Sequence, residues 1–247
     1  MAGAPAGFAE YRASVPPRTG PSPEVARARD RTSTGLLLMM VGFALSWIPY
    51  VDFVAGIVAL VGLIFLVLGR WGFGLRHAQF VVVSLVVLVV AGLVDFGVII
   101  GVAAEVASTA GQPGVTLSQI GSELNASLLT LFVATAVLAV VGSIAEVLLV
   151  EAIADRTSKV LLWLGVLANA ALAVVTVVWL LPQVQGAVAE ATSGTSVNLG
   201  PINALETTST LFGLTHVVPS VLFVWAYYRV REAVITDRLP RTGTSLR

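Results

Sequence analysis

Long apolar runs alternate with short polar segments along most of this chain, and the pattern predicts membrane-spanning helices. A helix needs roughly 20 apolar residues to cross a hydrocarbon core about 30 Å thick. Six segments approach or exceed that length, at residues 33–50, 53–69, 79–104, 125–150, 160–182 and 207–228. We therefore predict an all-α protein in which residues 33–228 form a polytopic bundle of six transmembrane helices.

The first two predicted spans are the shortest, and only residues 51–52 separate them. Pro49 favours a break there, because proline lacks a backbone N–H and disfavours helix in the preceding residue. Trp47, Tyr50 and Phe53 flank the break, and aromatic side chains are typical of the headgroup level. These features favour two complete crossings joined by a tight turn. A re-entrant hairpin is the alternative that the sequence leaves open.

The basic residues support six spans. All 14 Lys and Arg residues then fall on one side of the membrane, before residue 33, at 70–76, at 156–159 and after residue 228. The loops of the opposite side, including longer ones at about 106–124 and 183–206, contain acidic residues and no Lys or Arg. The positive-inside rule assigns the basic side to the cytoplasm. We therefore expect a multi-pass protein of the cell membrane with both termini in the cytoplasm.

Composition separates the two ends of the chain from the apolar body. Residues 1–32 contain five prolines and five arginines without apolar periodicity, so they are predicted to be a disordered cytoplasmic tail. Residues 229–247 are predicted to be a basic cytoplasmic tail. The whole chain is 57% hydrophobic and only 11% charged, whereas soluble domains contain about 25% charged residues. Its formal net charge of +0 gives no indication of nucleic-acid binding.

Polar residues within the predicted spans are the candidates for function, because an ionisable group at the helix centre costs at least ~2.5–3.5 kcal/mol on insertion scales. They are Asp95, Glu146 and His216, with Asn169 as a milder fourth. Asp95 and His216 each lie nine residues from the external end of a span, about 14 Å deep. Their equal depth predicts a carboxylate–imidazole pair.

Glu146 lies closer to the cytoplasmic end of its span, where Arg70, Arg76 or Arg156 would be within reach. Small residues accompany the polar ones on each helix face, which predicts that these faces pack together. Gly97-x-x-x-Gly101 adds a helix-packing pattern on the third span.

Motifs for catalysis are absent from the sequence, which has no HExxH, no phosphate-binding loop and no GxSxG. With no cysteine, disulfides, thiolate metal sites and cysteine nucleophiles are excluded. His77 and His216 fall on opposite halves of the membrane, so we predict no shared metal site, and we expect neither a cofactor nor enzymatic activity. Arg70, Trp71, Arg76 and His77 lie together after the second span, where contact with lipid headgroups is expected.

A resemblance covers the first two spans and the loop after them. Ile48-Pro49-Tyr50 and the segment Leu68-Gly69-Arg70-x-Gly72-Phe73-Gly74-x-x-His77 resemble a pattern in a mainly archaeal family of uncharacterised multispan membrane proteins. The resemblance implies a multispan membrane fold, and it carries no activity that could be transferred.

Two functions follow as expectations. The first is a non-enzymatic scaffold or sensor component, in which Asp95 and His216 form a polar clamp between helices. The second is a secondary transporter or channel-like protein with the same two residues in an intramembrane pathway. The lipid bilayer is the expected partner in both cases, and a homo-oligomer stays open.

Overall fold

The computed structural model describes residues 22–48 and 51–239, and all of the regular structure in that part of the chain is helical. The prediction of an all-α protein is therefore confirmed for these residues. The α-helices are α1 Pro23–Leu45, α2 Asp52–Gly69, α3 Leu75–Ala110, α4 Leu117–Val150, α5 Arg156–Val175, α6 Leu181–Ala191, α7 Gly200–Thr215 and α8 Val217–Ile235. A 3₁₀ turn, Arg70–Phe73, precedes α3, and a π-helical turn, Thr176–Leu180, joins α5 to α6.

Within the described residues, four helical segments are long and apolar enough to cross a membrane. They are Phe53–Phe73, Leu75–Ala110, Leu117–Val150 and Arg156–Ala191, and they contain the second to fifth predicted spans completely. Three of them have 34 to 36 residues, or about 50 Å of helix, which exceeds a hydrocarbon core of about 30 Å. The predicted external loops are correspondingly shorter, because the helices extend into residues 106–110, 117–124 and 183–191.

The first helix corrects the prediction of a disordered tail up to residue 32. α1 begins at Pro23, where the Ser22 hydroxyl accepts a hydrogen bond from the Val25 N–H and proline occupies the first turn. Thr32 is fully buried because this part of α1 packs against the end of α2, beside Gly69. Tertiary packing therefore stabilises a segment whose composition resembles that of a disordered chain. Residues 1–21 and 240–247 lie outside the described residues.

The predicted sixth span is divided in the structure. α7 ends at Thr215 and α8 begins at Val217, with His216 at the junction. Pro219 accounts for the break, because it has no N–H to bond the carbonyl four residues earlier in a continuous helix. α8 then continues to Ile235, so the first part of the predicted basic tail is helical.

Glycines form the contact between α1 and α2, which run antiparallel. A methyl group added at Gly35 would lie 2.8 Å from the Gly62 carbonyl oxygen, and one at Gly62 would lie 2.9 Å from the Gly35 carbonyl oxygen. Gly42 similarly faces Ala59, and Gly69 faces the backbone of residues 28–32. Without a Cβ at these positions, the two backbones approach closely enough for extensive van der Waals contact.

The apolar core lies at the end of the bundle that contains the basic residues. Neighbouring helices pack in the order α2, α1, α8, α5, α4 and α3, and each alternates in direction with the next. The core is contributed by the second half of α1, the end of α2, the start of α3, the end of α4, the start and middle of α5, and the middle and end of α8. Its largest buried members are Tyr227, Phe223, Leu36, Leu66, Leu149 and Leu162.

Candidate functional site

Asp95 is half-buried on α3, where it faces α4. The Thr135 hydroxyl donates a hydrogen bond to its Oδ1 atom over 3.3 Å. Among the described residues, the ion pairs do not include one between Asp95 and His216. The predicted pair is therefore wrong for this structure, because α3 packs along α4 while His216 lies at the exposed junction of α7 and α8.

Two further polar contacts lie along the same α3–α4 interface. The buried Ser84 hydroxyl donates to the Ala145 carbonyl oxygen over 2.6 Å. Towards the other end of α3, the Ser127 hydroxyl is 3.4 Å from a carboxylate oxygen of Glu105. Together with the Asp95 contact, these hydrogen bonds join the two helices along much of their length and set their register.

Glu146 is half-buried near the end of α4. Its backbone carbonyl accepts a hydrogen bond of 2.9 Å from the buried Tyr227 hydroxyl of α8. Arg70, Arg76 and Arg156, which the sequence placed within reach of its carboxylate, form no ion pair with it among the described residues. The sequence did not single out Tyr227, which connects α8 to α4 through this bond.

Asn169 is half-buried on α5, and none of the hydrogen bonds found between described residues involves its side chain. Gly165, on the same helix face, packs against the Phe223 ring, so this face of α5 does contact α8 as expected. The glycine pattern noted on α3 does not pack against another described helix of this chain. A Cβ added at Gly97 or Gly101 would meet nothing within 4 Å, because that face of α3 is open.

Arg70, Trp71 and Arg76 lie at the surface beside the start of α3. The Arg70 guanidinium stacks 5.2 Å from the Trp71 ring, which is 59% exposed. Arg76 is exposed and lies 5.6 Å from the Phe80 ring. The expectation that these three residues contact lipid headgroups stays a prediction.

His77 does not belong with them, and the expectation that it contacts headgroups is wrong. Its side chain is fully buried, with its ring at 5.2 Å from the Phe73 ring in an edge-on arrangement. Neither ring nitrogen has a hydrogen-bond partner among the described residues. The first turn of α3 directs this face inward, so the imidazole cannot reach the lipid surface.

Ion pairs connect the helix ends at the basic side of the bundle. Those between described residues are Arg29 with Asp237, Lys159 with Glu151, and Arg229 with Asp155, at 2.6, 2.9 and 2.9 Å. Asp155 also caps α5 by accepting the Ser158 N–H. Partial burial alone would raise the pKa of Asp155, but hydrogen bonds from Ser158 and the charge of Arg229 lower it below its ordinary value.

Apolar grooves separate the ends of the helices farther from the core. The groove between α4 and α5 has a volume of about 470 Å³ and is lined only by valine and alanine side chains. Within the described residues, no group of three or more His, Asp or Glu side chains is placed to hold a metal ion. The groove between α4 and α5 therefore presents an apolar surface.

Comparison of the chain with protein families, curated proteins and solved structures gave no match. The resemblance to the mainly archaeal family therefore stays a prediction.

Proposed function

We propose that this chain is an integral membrane protein that crosses the bilayer six times, with both termini in the cytoplasm, and acts as a non-enzymatic scaffold or sensor component. The observation that carries the proposal is that polar side chains along α3 and α4 form hydrogen bonds between the two helices. Ser84 and Asp95 both form hydrogen bonds to the facing helix, while the groove between α4 and α5 is apolar. Such an arrangement stabilises one helix register and does not require a moving solute.

The distribution of charge supports the proposed orientation. The described ion pairs join the start of α1, the end of α4, the start of α5 and the end of α8, so these basic segments lie at one end of the bundle. Glu105, Glu123 and Glu190 lie on the other halves of their helices. The surfaces of the helices between these ends are rich in exposed Val, Leu and Ile, as lipid contact requires.

Because the chain contains no cysteine, each introduced thiol is unique and reports its own side of the membrane. Thr157→Cys and Thr195→Cys form a matched pair at exposed positions in opposite parts of the bundle. A membrane-impermeant maleimide should label Thr195→Cys in intact cells and Thr157→Cys only after the membrane is opened. The reverse pattern would refute the orientation, and labelling of both in intact cells would refute the number of crossings between them.

A transporter or channel-like function is the second candidate, and the interrupted helices favour it. The π-helical turn Thr176–Leu180 and the break at His216 are the kinds of irregularity that often occur at functional sites in membrane helices. In this case Asp95 and His216 would serve one pathway in a conformation that brings both into contact with water.

Proton flux into proteoliposomes distinguishes the two functions. For a scaffold, Asp95→Asn should leave flux at the level of protein-free vesicles, as in the wild type. For a transporter, wild-type flux should be measurable and Asp95→Asn should abolish it. Glu105→Gln is the matched control, because it also removes a carboxylate from the α3–α4 interface. Wild-type flux lost in Asp95→Asn and retained in Glu105→Gln would replace the scaffold proposal.

A further inference from the structure

A surface groove of about 290 Å³ lies between the 3₁₀ turn and the first part of α3. Arg70 and Trp71 form the end of the groove at the 3₁₀ turn. The rest is lined by Leu75, Ala78, Gln79, Val82 and Val83. From Leu75 to Val83 the helix rises about 12 Å. The groove thus begins beside a cation and continues as an almost entirely apolar surface along α3.

The Arg70 guanidinium, at the end of the groove beside the 3₁₀ turn, retains N–H donors for a ligand. A guanidinium has five N–H groups, and Arg70 uses Nη1 for a 2.7 Å bond to the Val67 carbonyl oxygen. That bond and the stacking on Trp71 hold the guanidinium in place. Neither Arg70 nor Arg76 has an acidic partner among the ion pairs of the described residues. Their charge therefore stays available to an anion.

We propose that this groove binds one anionic phospholipid, with its phosphate at Arg70 and one acyl chain along Val82 and Val83. Charge complementarity at one end and apolar lining at the other match the two parts of such a lipid. Exposed Trp71 belongs at the same level, since tryptophan is favoured at membrane–water interfaces. Simple anchoring by basic residues near an anionic surface would not need the groove.

Quenching of Trp71 fluorescence by brominated lipids tests the site directly. The protein is reconstituted in phosphatidylcholine vesicles that contain an equal fraction of brominated phosphatidylglycerol or brominated phosphatidylcholine. The Trp71 signal is the difference between each protein and its Trp71→Phe counterpart. Because an arginine near a membrane surface contributes roughly a fivefold preference for anionic lipid, we expect a binding preference of that order for phosphatidylglycerol. Equal quenching by both lipids would refute the site.

Two variants with matched controls separate the headgroup contact from the acyl contact. Arg70→Gln should reduce the preference about fivefold, whereas Arg156→Gln, at an exposed arginine away from the groove, should not. Val82→Phe should fill the groove and reduce quenching by brominated phosphatidylglycerol, whereas Val89→Phe, two turns along α3, should not. An equal effect of Arg156→Gln would indicate a general surface charge, and an unchanged Val82→Phe would exclude the acyl chain; either result overturns the proposal.

The same quenching measurements distinguish two other possible occupants of the groove, a second copy of the chain and free phosphate. If a second copy of the chain covers the groove, neither brominated lipid quenches the Trp71 signal, and the proposal fails. If Arg70 binds free phosphate without an acyl contribution, glycerol 3-phosphate at constant ionic strength should abolish the lipid preference. For the proposed lipid site, the preference should survive that addition. Circular dichroism of each variant shows that the helices are retained.

Discussion

The close contact of α1 with α2 leads to a prediction about protein stability. Whether Gly62→Ala raises or lowers the free energy of unfolding depends on the tertiary structure around Gly62. Gly62→Ala adds a methyl group 2.9 Å from both the Gly35 carbonyl oxygen and the Met39 nitrogen, and 3.1 Å from the Leu38 Cβ. The two backbone distances fall about 0.5 Å short of ordinary van der Waals contact. Because two of these neighbours belong to the backbone of α1, relief requires the helices to move apart.

The magnitude follows from two opposing terms. Overpacking of a tight contact costs about 1–3 kcal/mol, while replacing glycine by alanine inside a helix gains ~0.8–1 kcal/mol. Gly62→Ala should therefore reduce the free energy of unfolding by about 1 kcal/mol. Gly56→Ala is the matched control on the same helix, where an added methyl group meets nothing within 4 Å. It should be neutral or gain about 0.5–1 kcal/mol.

Unfolding in mixed micelles with increasing sodium dodecyl sulfate, followed by circular dichroism, measures both variants against the wild type. The expected difference between them is about 1–2 kcal/mol, or roughly five- to thirtyfold in the unfolding equilibrium constant. If Gly62→Ala proved as stable as Gly56→Ala, the close approach of α1 and α2 would be refuted. A loss in both variants would instead show that alanine is disfavoured throughout this helix.

Two further changes test contacts near the basic end of the bundle. Asp155→Ala should cost ~1 kcal/mol by removing the cap of α5, while Asp155→Asn should cost less because asparagine also caps helices. Since the folded-state pKa of Asp155 is lowered, its contribution is complete above the ordinary value of 3.8 and is lost as the pH falls through the folded-state pKa. Acid titration of stability should therefore be flatter in Asp155→Asn, and an unchanged titration would contradict the lowered pKa of Asp155. Tyr227→Phe should cost about 1 kcal/mol in the free energy of unfolding, because it removes the hydrogen bond to the Glu146 carbonyl. The control Tyr228→Phe, at a half-exposed neighbour, should be neutral. Equal unfolding curves for the two variants would contradict that hydrogen bond.

Individual residues show where inference from the sequence stops. His77 follows two arginines and a tryptophan, so it was expected at the surface, yet the first turn of α3 places it in the core. Gly97 and Gly101 have the spacing of a packing motif but lie on an open face, while Gly35 and Gly62 form the actual contact. Spacing along a helix identifies which residues share a face and leaves open what that face contacts.

The sequence alone determined that residues 53–69, 79–104, 125–150 and 160–182 are helical, since a long apolar segment satisfies its backbone hydrogen bonds most readily within itself. That requirement is local and can be judged from composition. Only the tertiary structure decided that Asp95 meets Thr135 and that α1 extends to Pro23. These features depend on how each helix is rotated about its axis and on which neighbour it contacts. Contacts between residues far apart in the chain determine both the rotation and the neighbour.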